Sequence, residues 1–115
     1  MLKVKVDMGN IEKKVPESIN HGQFVLDQQV LKDSNFFIPK DRGYLEESGI
    51  LHSKIGEGEI IWKTPYARRL YYNPQYNFST DKNPNARGMW FEHAKSLKLK
   101  SWLDVAKNEV KNRLR

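Results

Sequence analysis

Apolar and charged residues alternate at the start of the chain, Leu2, Val4 and Val6 against Lys3, Lys5 and Asp7. A period of two predicts a short half-buried strand, or equally an N-terminal arm (residues 1–9) that pairs with a neighbour. Met8-Gly9-Asn10 breaks the pattern, and the period then lengthens. Ile11, Val15, Ile19, Gly22, Leu26 and Val30 recur at three- and four-residue steps, the stripe of an amphipathic helix. Phe24, Val25 and Leu31 widen that stripe. Proline suits a first helical turn but not an interior, so the helix either begins near Pro16 or kinks there. Asp33-Ser34-Asn35 supplies turn-forming residues at its end.

The stretch from Phe36 through Pro39 to Gly43 predicts an extended connection, because a residue before proline avoids the helical region. Residues 44–48 fit one helical turn. Two β-rich runs follow, residues 50–55 and 59–64, separated by Gly56-Glu57-Gly58. Glycine reaches the positive φ angles that tight turns demand, so the three elements together predict a β-hairpin. After Pro65, residues 66–72 fit a short helix or an extended arm. Residues 73–88 carry Asn73-Pro74, Asn83-Pro84-Asn85 and Gly88, which predicts a long loop. The helical period returns near Ala86, with Trp90, Ala94 and Leu97 on one face. Ser101-Trp102-Leu103-Asp104 matches a capping box, which predicts a second helix start there. Trp102, Val105, Ala106 and Val110 form its apolar side. The chain then ends in one broken helix or two consecutive ones. The fold class is α+β in a single domain, residues 1–115: an N-terminal helix, a central antiparallel hairpin sheet and C-terminal helices.

Composition narrows the partners. The chain has 115 residues, enough for one real core, and 38% of them are hydrophobic against 30% charged, leaving much of the surface wet. Three Trp, five Tyr and five Phe argue against disorder, which is poor in aromatics. Cysteine is absent, so neither a disulfide framework nor a thiolate metal site is available, and a reducing cytoplasm is permitted. The N-terminus lacks an apolar signal core, and no apolar run reaches membrane-spanning length. The net charge of +6 suits nucleic acid, an acidic partner or an anionic surface, although a solvated helix face accounts for many of the lysines.

Catalytic chemistry finds little to work with. His21, His52 and His93 are not spaced as a metal pair on one helix. Glu46 and Glu47 diverge as helix neighbours, and Glu57 and Glu59 flank a turn, so neither pair makes an acid–base dyad. No serine stands in a nucleophile elbow. A small nuclease or toxin-like enzyme would require His52 or His93 to meet Arg or Tyr in a cleft. No catalytic, metal or cofactor site is expected.

The richest segment is "WKTPYARRLYYNP", residues 62–74. Trp62, Tyr66 and Leu70 fit a core corner. Tyr71, Tyr72, Tyr76 and Phe78 crowd a Pro/Asn-rich loop that offers little local burial, and Tyr, Trp and Arg anchor protein interfaces. The expected interface residues are therefore Trp62, Tyr66, Arg68, Arg69, Tyr71, Tyr72, Tyr76 and Phe78, with residues 73–88 as a long interface loop. In a competing reading, Tyr71, Tyr72, Tyr76 and Phe78 stack on bases beside Lys and Arg in a small nucleic-acid-binding module.

Two blocks carry a family likeness. "DSNFFIPKDRGYLEESGIL", residues 33–51, resembles a signature of small neck proteins from long-tailed bacteriophages, through Pro39, Asp41, Gly43, Leu45 and Ser48. "WKTPYARRLYYNPQYNFSTDKNPNARGMWFEHAK", residues 62–95, is similar to the corresponding part of phage minor capsid, or head–tail connector, proteins. The resemblance spans residues 26–102. It implies a structural protein of tail-completion or neck type, not an enzyme, which assembles as a ring between portal and tail and leaves a channel for DNA. A head-to-tail contact that closes by rotation gives such a ring, here on the order of six or twelve copies. The implied partners are other copies, portal-adaptor, neck and tail proteins, with non-specific contact to genomic DNA and none to membrane. The implied location is the virion neck, after synthesis in the host cytoplasm. Under this resemblance Lys98, Lys100, Lys107 and Lys111, in a basic C-terminal region, become candidate contacts to channel DNA or to acidic partners.

Overall fold

The computed structural model describes residues 1–6, 16–39, 43–73, 78 and 83–113. Strand β1 (Leu2–Lys5) is followed by helix α1 (Pro16–Asn35), helix α2 (Tyr44–His52), strand β2 (Glu59–Trp62), the short helix α3 (Ala67–Tyr71) and helix α4 (Trp90–Arg113). The α+β class expected from the pattern is what forms. Helix α1 starts at Pro16, where the fixed φ of proline costs nothing because a first-turn amide has no helical partner. Its buried face carries Gly22, Leu26 and Val30, as the period predicts. The predicted stripe members Ile11 and Val15 lie outside the described residues.

The sheet differs from expectation. Residues 50–55 do not form the first strand of a hairpin: α2 runs on through Ile50, Leu51 and His52, and only Lys54 bridges back to Glu59. Strand β2 pairs instead with β1, antiparallel, Leu2 opposite Trp62 and Val4 opposite Ile60. The reason is tertiary. Gly49 lets α2 lie so close to β2 that an added Cβ would stand 2.6 Å from the Trp62 indole nitrogen. A helix against one flank of β2 leaves the other for the N-terminal strand. The Gly56–Gly58 turn does form, with both glycines at positive φ (97° and 75°).

Helix α4 is continuous. Ser101 and Asp104 sit inside it, so the capping-box expectation of a second helix start is wrong. The segment 90–113 contains neither Gly nor Pro, and Trp90, Ala94, Trp102, Ala106 and Val110 are all buried. One long packed stripe overrides a local cap signal. Leu97, expected on that stripe, is instead exposed. Helix α1 lies along α4, tied by a hydrogen bond from the Trp102 indole N–H to Asp33 Oδ2 (2.7 Å). Between helices and sheet sit Leu2, Leu26, Val30, Ile60, Trp62 and Trp90.

Candidate functional site

The residues around α3 rise from the core to the surface as a ladder of rings. Trp62 is fully buried, its indole N–H donating to Asn35 Oδ1 (2.9 Å), and its ring meets Trp90 edge-on at 5.8 Å. Trp90 meets Tyr71 edge-on at 4.8 Å, and Tyr71 meets Tyr72 at 5.0 Å. Such edge-to-face pairs add roughly 0.5–1.5 kcal/mol each beyond their buried area. Tyr71 is also buried, and its hydroxyl accepts the Glu92 backbone N–H (3.3 Å) while lying 3.5 Å from Glu92 Oε1. Burial, reinforced by the Glu92 charge, pushes the Tyr71 phenol well above its ordinary value, so it stays protonated.

Ala67 and Tyr71 are the buried side of α3, one turn apart, and this turns Arg68, Arg69 and Tyr72 outward. Tyr72 is 58% exposed. The Arg69 carbonyl accepts from Asn73 Nδ2 (2.6 Å), which closes the helix end. Tyr66 and Phe78 are half-buried, and Leu70 packs against the core edge. Tyr76 lies outside the described residues. Of the expected interface set, then, Arg68, Arg69 and Tyr72 form an exposed group, and Trp62 and Tyr71 form the rigid base beneath it.

Sequence reasoning missed the clamp that holds the loop before α4. Asn83 is buried and donates from Nδ2 to the carbonyls of Phe36 (2.9 Å) and Ile38 (2.8 Å), while the Arg87 N–H donates to the Phe37 carbonyl. Beside it, His93 stands edge-on against Phe37 at 4.5 Å, with Arg87 Nη1 3.1 Å from His93 Nδ1. Burial, and then the Arg87 charge, lower the affinity of His93 for a proton. The meeting of His93 with Arg87 that an enzyme reading required does occur, but on an exposed surface rather than in a cleft. Asn-Pro at 83–84 was a visible turn signal; its long-range bonding was not.

On α4, Lys98, Lys100, Lys107 and Lys111 are all exposed. At 100° per residue Lys100, Lys107 and Lys111 fall within about 40° of one another over roughly 16 Å, with Lys98 on another side. Among the described residues, no three His, Asp or Glu side chains are grouped to hold a metal ion, and no helix is long and apolar enough to cross a membrane.

In the comparison with protein families, the family described as minor capsid protein matches the chain over residues 2–110. No curated protein and no solved structure is significantly similar to the chain.

Proposed function

The chain belongs to the phage minor capsid protein family, and from that membership we propose that it is a head–tail connector of the neck, joining the portal side of the capsid to the tail as a ring around a DNA channel. The coarser part is a structural role in the virion, which follows from the family itself.

The observation that carries the finer reading is the exposed Arg68, Arg69 and Tyr72 group on its buried aromatic base. The Tyr72 ring, braced edge-on by Tyr71, loses little side-chain freedom on binding, and the two guanidinium groups beside it supply the multiple donors that anchor interfaces. A ring built head to tail needs two different adhesive faces on each copy. The α3 surface supplies one; of the 73–88 interface loop expected to reach a neighbouring protein, residues 74–77 and 79–82 lie outside the described residues, and Asn83 and Arg87 are bonded back to residues 36–38. The Lys100–Lys107–Lys111 strip offers phosphate neutralisation to passing DNA or a match for an acidic face.

The test is a double substitution, Arg69→Ala with Tyr72→Ala, in the phage. Both side chains are exposed, so the purified variant keeps its circular dichroism and, losing only the Tyr71–Tyr72 edge contact, melts no more than several degrees lower. Infectious particles fall sharply, and electron microscopy finds filled heads and free tails unjoined. Normal titres of joined virions from that variant would overturn the α3 surface as a connector contact.

A further inference from the structure

The two-stranded sheet has unlike edges. Along the outer edge of β2, the Ile61 N–H donates to Ser53 Oγ (2.8 Å), the Lys63 N–H to Ser48 Oγ (3.2 Å), and the Glu59 carbonyl accepts from Lys54 (2.8 Å). Helix α2 and its C-terminal turn thus close that edge. Strand β1 is different. The Val6 N–H donates to Gly58 (2.7 Å), so by antiparallel alternation Val6, Val4 and Leu2 face β2 through the backbone. The N–H and C=O groups of Lys3 and Lys5 therefore point away from β2, and among the described residues nothing bonds them.

Beside that open edge lies a cavity of about 320 Å³, with Val6, Leu26, Phe91, Leu99 and Trp102 among its walls. Phe91 and Trp102 stack along one wall with centroids 6.0 Å apart, and Leu99 is 44% exposed. Lys5 and Lys95 stand at its rim. An unpaired strand edge beside an apolar trough is the geometry of strand addition: backbone bonds give affinity, and alternate side chains enter pockets.

We propose that β1 and this trough bind an extended segment of a partner protein as a third strand, one that alternates apolar with acidic residues. The period of two sets the chemistry. Side chains of the added strand on the Leu2–Val4–Val6 face enter the trough, and those on the Lys3–Lys5 face meet Lys3 and Lys5, which outnumber the single carboxylate, Glu59, that they share. The same lysines disfavour a second copy as occupant, because two β1 edges brought together would set Lys3 and Lys5 against their own likeness. This site is separate from the α3 surface and does not depend on the neck reading.

The test uses the full chain, labelled with nitrogen-15, and two blocked synthetic hexapeptides, one alternating Val and Glu and one alternating Val and Lys. In the free chain the Lys3 and Lys5 amides exchange rapidly with solvent. The Val/Glu peptide slows that exchange and shifts the Trp102 indole signal; the Val/Lys peptide does neither. Lys5→Pro removes the outward N–H, which an edge strand tolerates, together with the lysine side chain, and weakens binding tenfold or more, whereas Lys5→Ala, which removes the side chain alone, weakens it about twofold to threefold. If Lys5→Pro does not fold, Leu99→Glu serves, since it sets a charge in the apolar trough that the Val side chains enter and also abolishes binding. Lys3 and Lys5 amides already protected in the free monomer would overturn the proposal in favour of the chain covering its own edge. Protection that grows with protein concentration would overturn it in favour of a second copy. Equal binding of the two peptides, or of neither, would overturn it outright.

Discussion

Asp27 is the side chain on which the sheet's turn depends. It sits on α1 with no exposed surface, and its Oδ2 accepts the backbone N–H groups of both Gly56 and Gly58 (2.8 Å each). Its Oδ1 accepts Gln23 Nε2 (2.7 Å), which also donates to the Val6 carbonyl (3.1 Å). One carboxylate thereby fixes the turn before β2 and, through Gln23, the end of β1. Asp27→Ala strands the buried Gly58 amide at a cost of about 1–3 kcal/mol and the half-buried Gly56 amide at somewhat less. Relief of carboxylate desolvation offsets part of this, because burial raises the Asp27 pKa above its ordinary value of 3.8 despite three hydrogen bonds that lower it. A net loss of about 2–3 kcal/mol remains, or roughly 8–15 °C in melting temperature for a domain of this size. Urea unfolding with amide exchange at Gly58 is the assay: stability and Gly58 protection fall together. Asp27→Asn, which keeps an acceptor for the glycines but sets an amide against Gln23, falls between. The pH response has a definite sign. The native state holds this proton at higher pH than the unfolded chain does, so Asp27's contribution to stability rises as pH falls through its raised pKa toward 3.8. Asp27→Asn abolishes that component. Asp27→Ala within about 0.5 kcal/mol of wild type, with Gly58 protection unchanged, would refute the reasoning.

Three further outcomes are expected. Gly49→Ala drives a methyl to within 2.6 Å of the Trp62 indole, which Asn35 and Trp90 hold from other sides; overpacking of this kind costs about 1–3 kcal/mol, measured by thermal unfolding with tryptophan fluorescence as a second readout. His93 titrates below 6.5, and because burial is the larger cause, Arg87→Gln raises the midpoint only part of the way, read from the imidazole proton shifts; the unfolded chain takes that proton first, so the His93 contribution to stability is lost as pH falls below 6.5. The Glu59 pKa is lowered chiefly by its hydrogen bond to Lys3, so Lys3→Gln moves its carbon-13 titration midpoint up toward 4.5; its contribution to stability is present above that value and lost as pH falls through the lowered one.

The long apolar periods were the legible part of the sequence. Gly22, Leu26 and Val30 on α1 and Trp90, Ala94, Trp102, Ala106 and Val110 on α4 lie buried where a 3.6-residue repeat puts them, and Leu2 and Val4 lie where a repeat of two does. The errors came where a local signal competed with a distant one. Ile50 and Ile55 before the glycine turn and Ile60 and Ile61 after it are β-branched, which is all that a hairpin displays locally. What decides against it is the contact of Gly49 with Trp62, thirteen residues on, and the capture of β2 by a strand more than fifty residues earlier. Ser101 and Asp104 failed likewise: a capping box means something only where a helix end is free to need it. In the candidate site the aromatic excess was visible, but its division was not. Burial of Tyr71 depends on Trp90 and Glu92, which arrive from α4 after the intervening loop.

That division bears on how an assembly contact is made. A loop rich in rings reads as adhesive because its rings have nowhere to go, yet Trp62 and Tyr71 go inside. Under the proposed connector role, their burial leaves the α3 surface available as a contact and changes which property would make it one. An exposed ring on a free loop gives up much of its binding energy to ordering. Tyr72, braced edge-on by a buried Tyr71 that is itself braced by Trp90, is ordered before any partner arrives. Loosening the base should therefore weaken assembly even though the base touches no partner. Tyr71→Phe isolates this effect, because it keeps the ring stack and removes only the hydroxyl that accepts the Glu92 amide. With Tyr71→Phe, joining of heads and tails falls less than with Tyr72→Ala, and by an amount that follows the added disorder of the Tyr72 ring in NMR relaxation. Joining that tracks the overall melting temperature instead would mean that Tyr71 serves the fold alone.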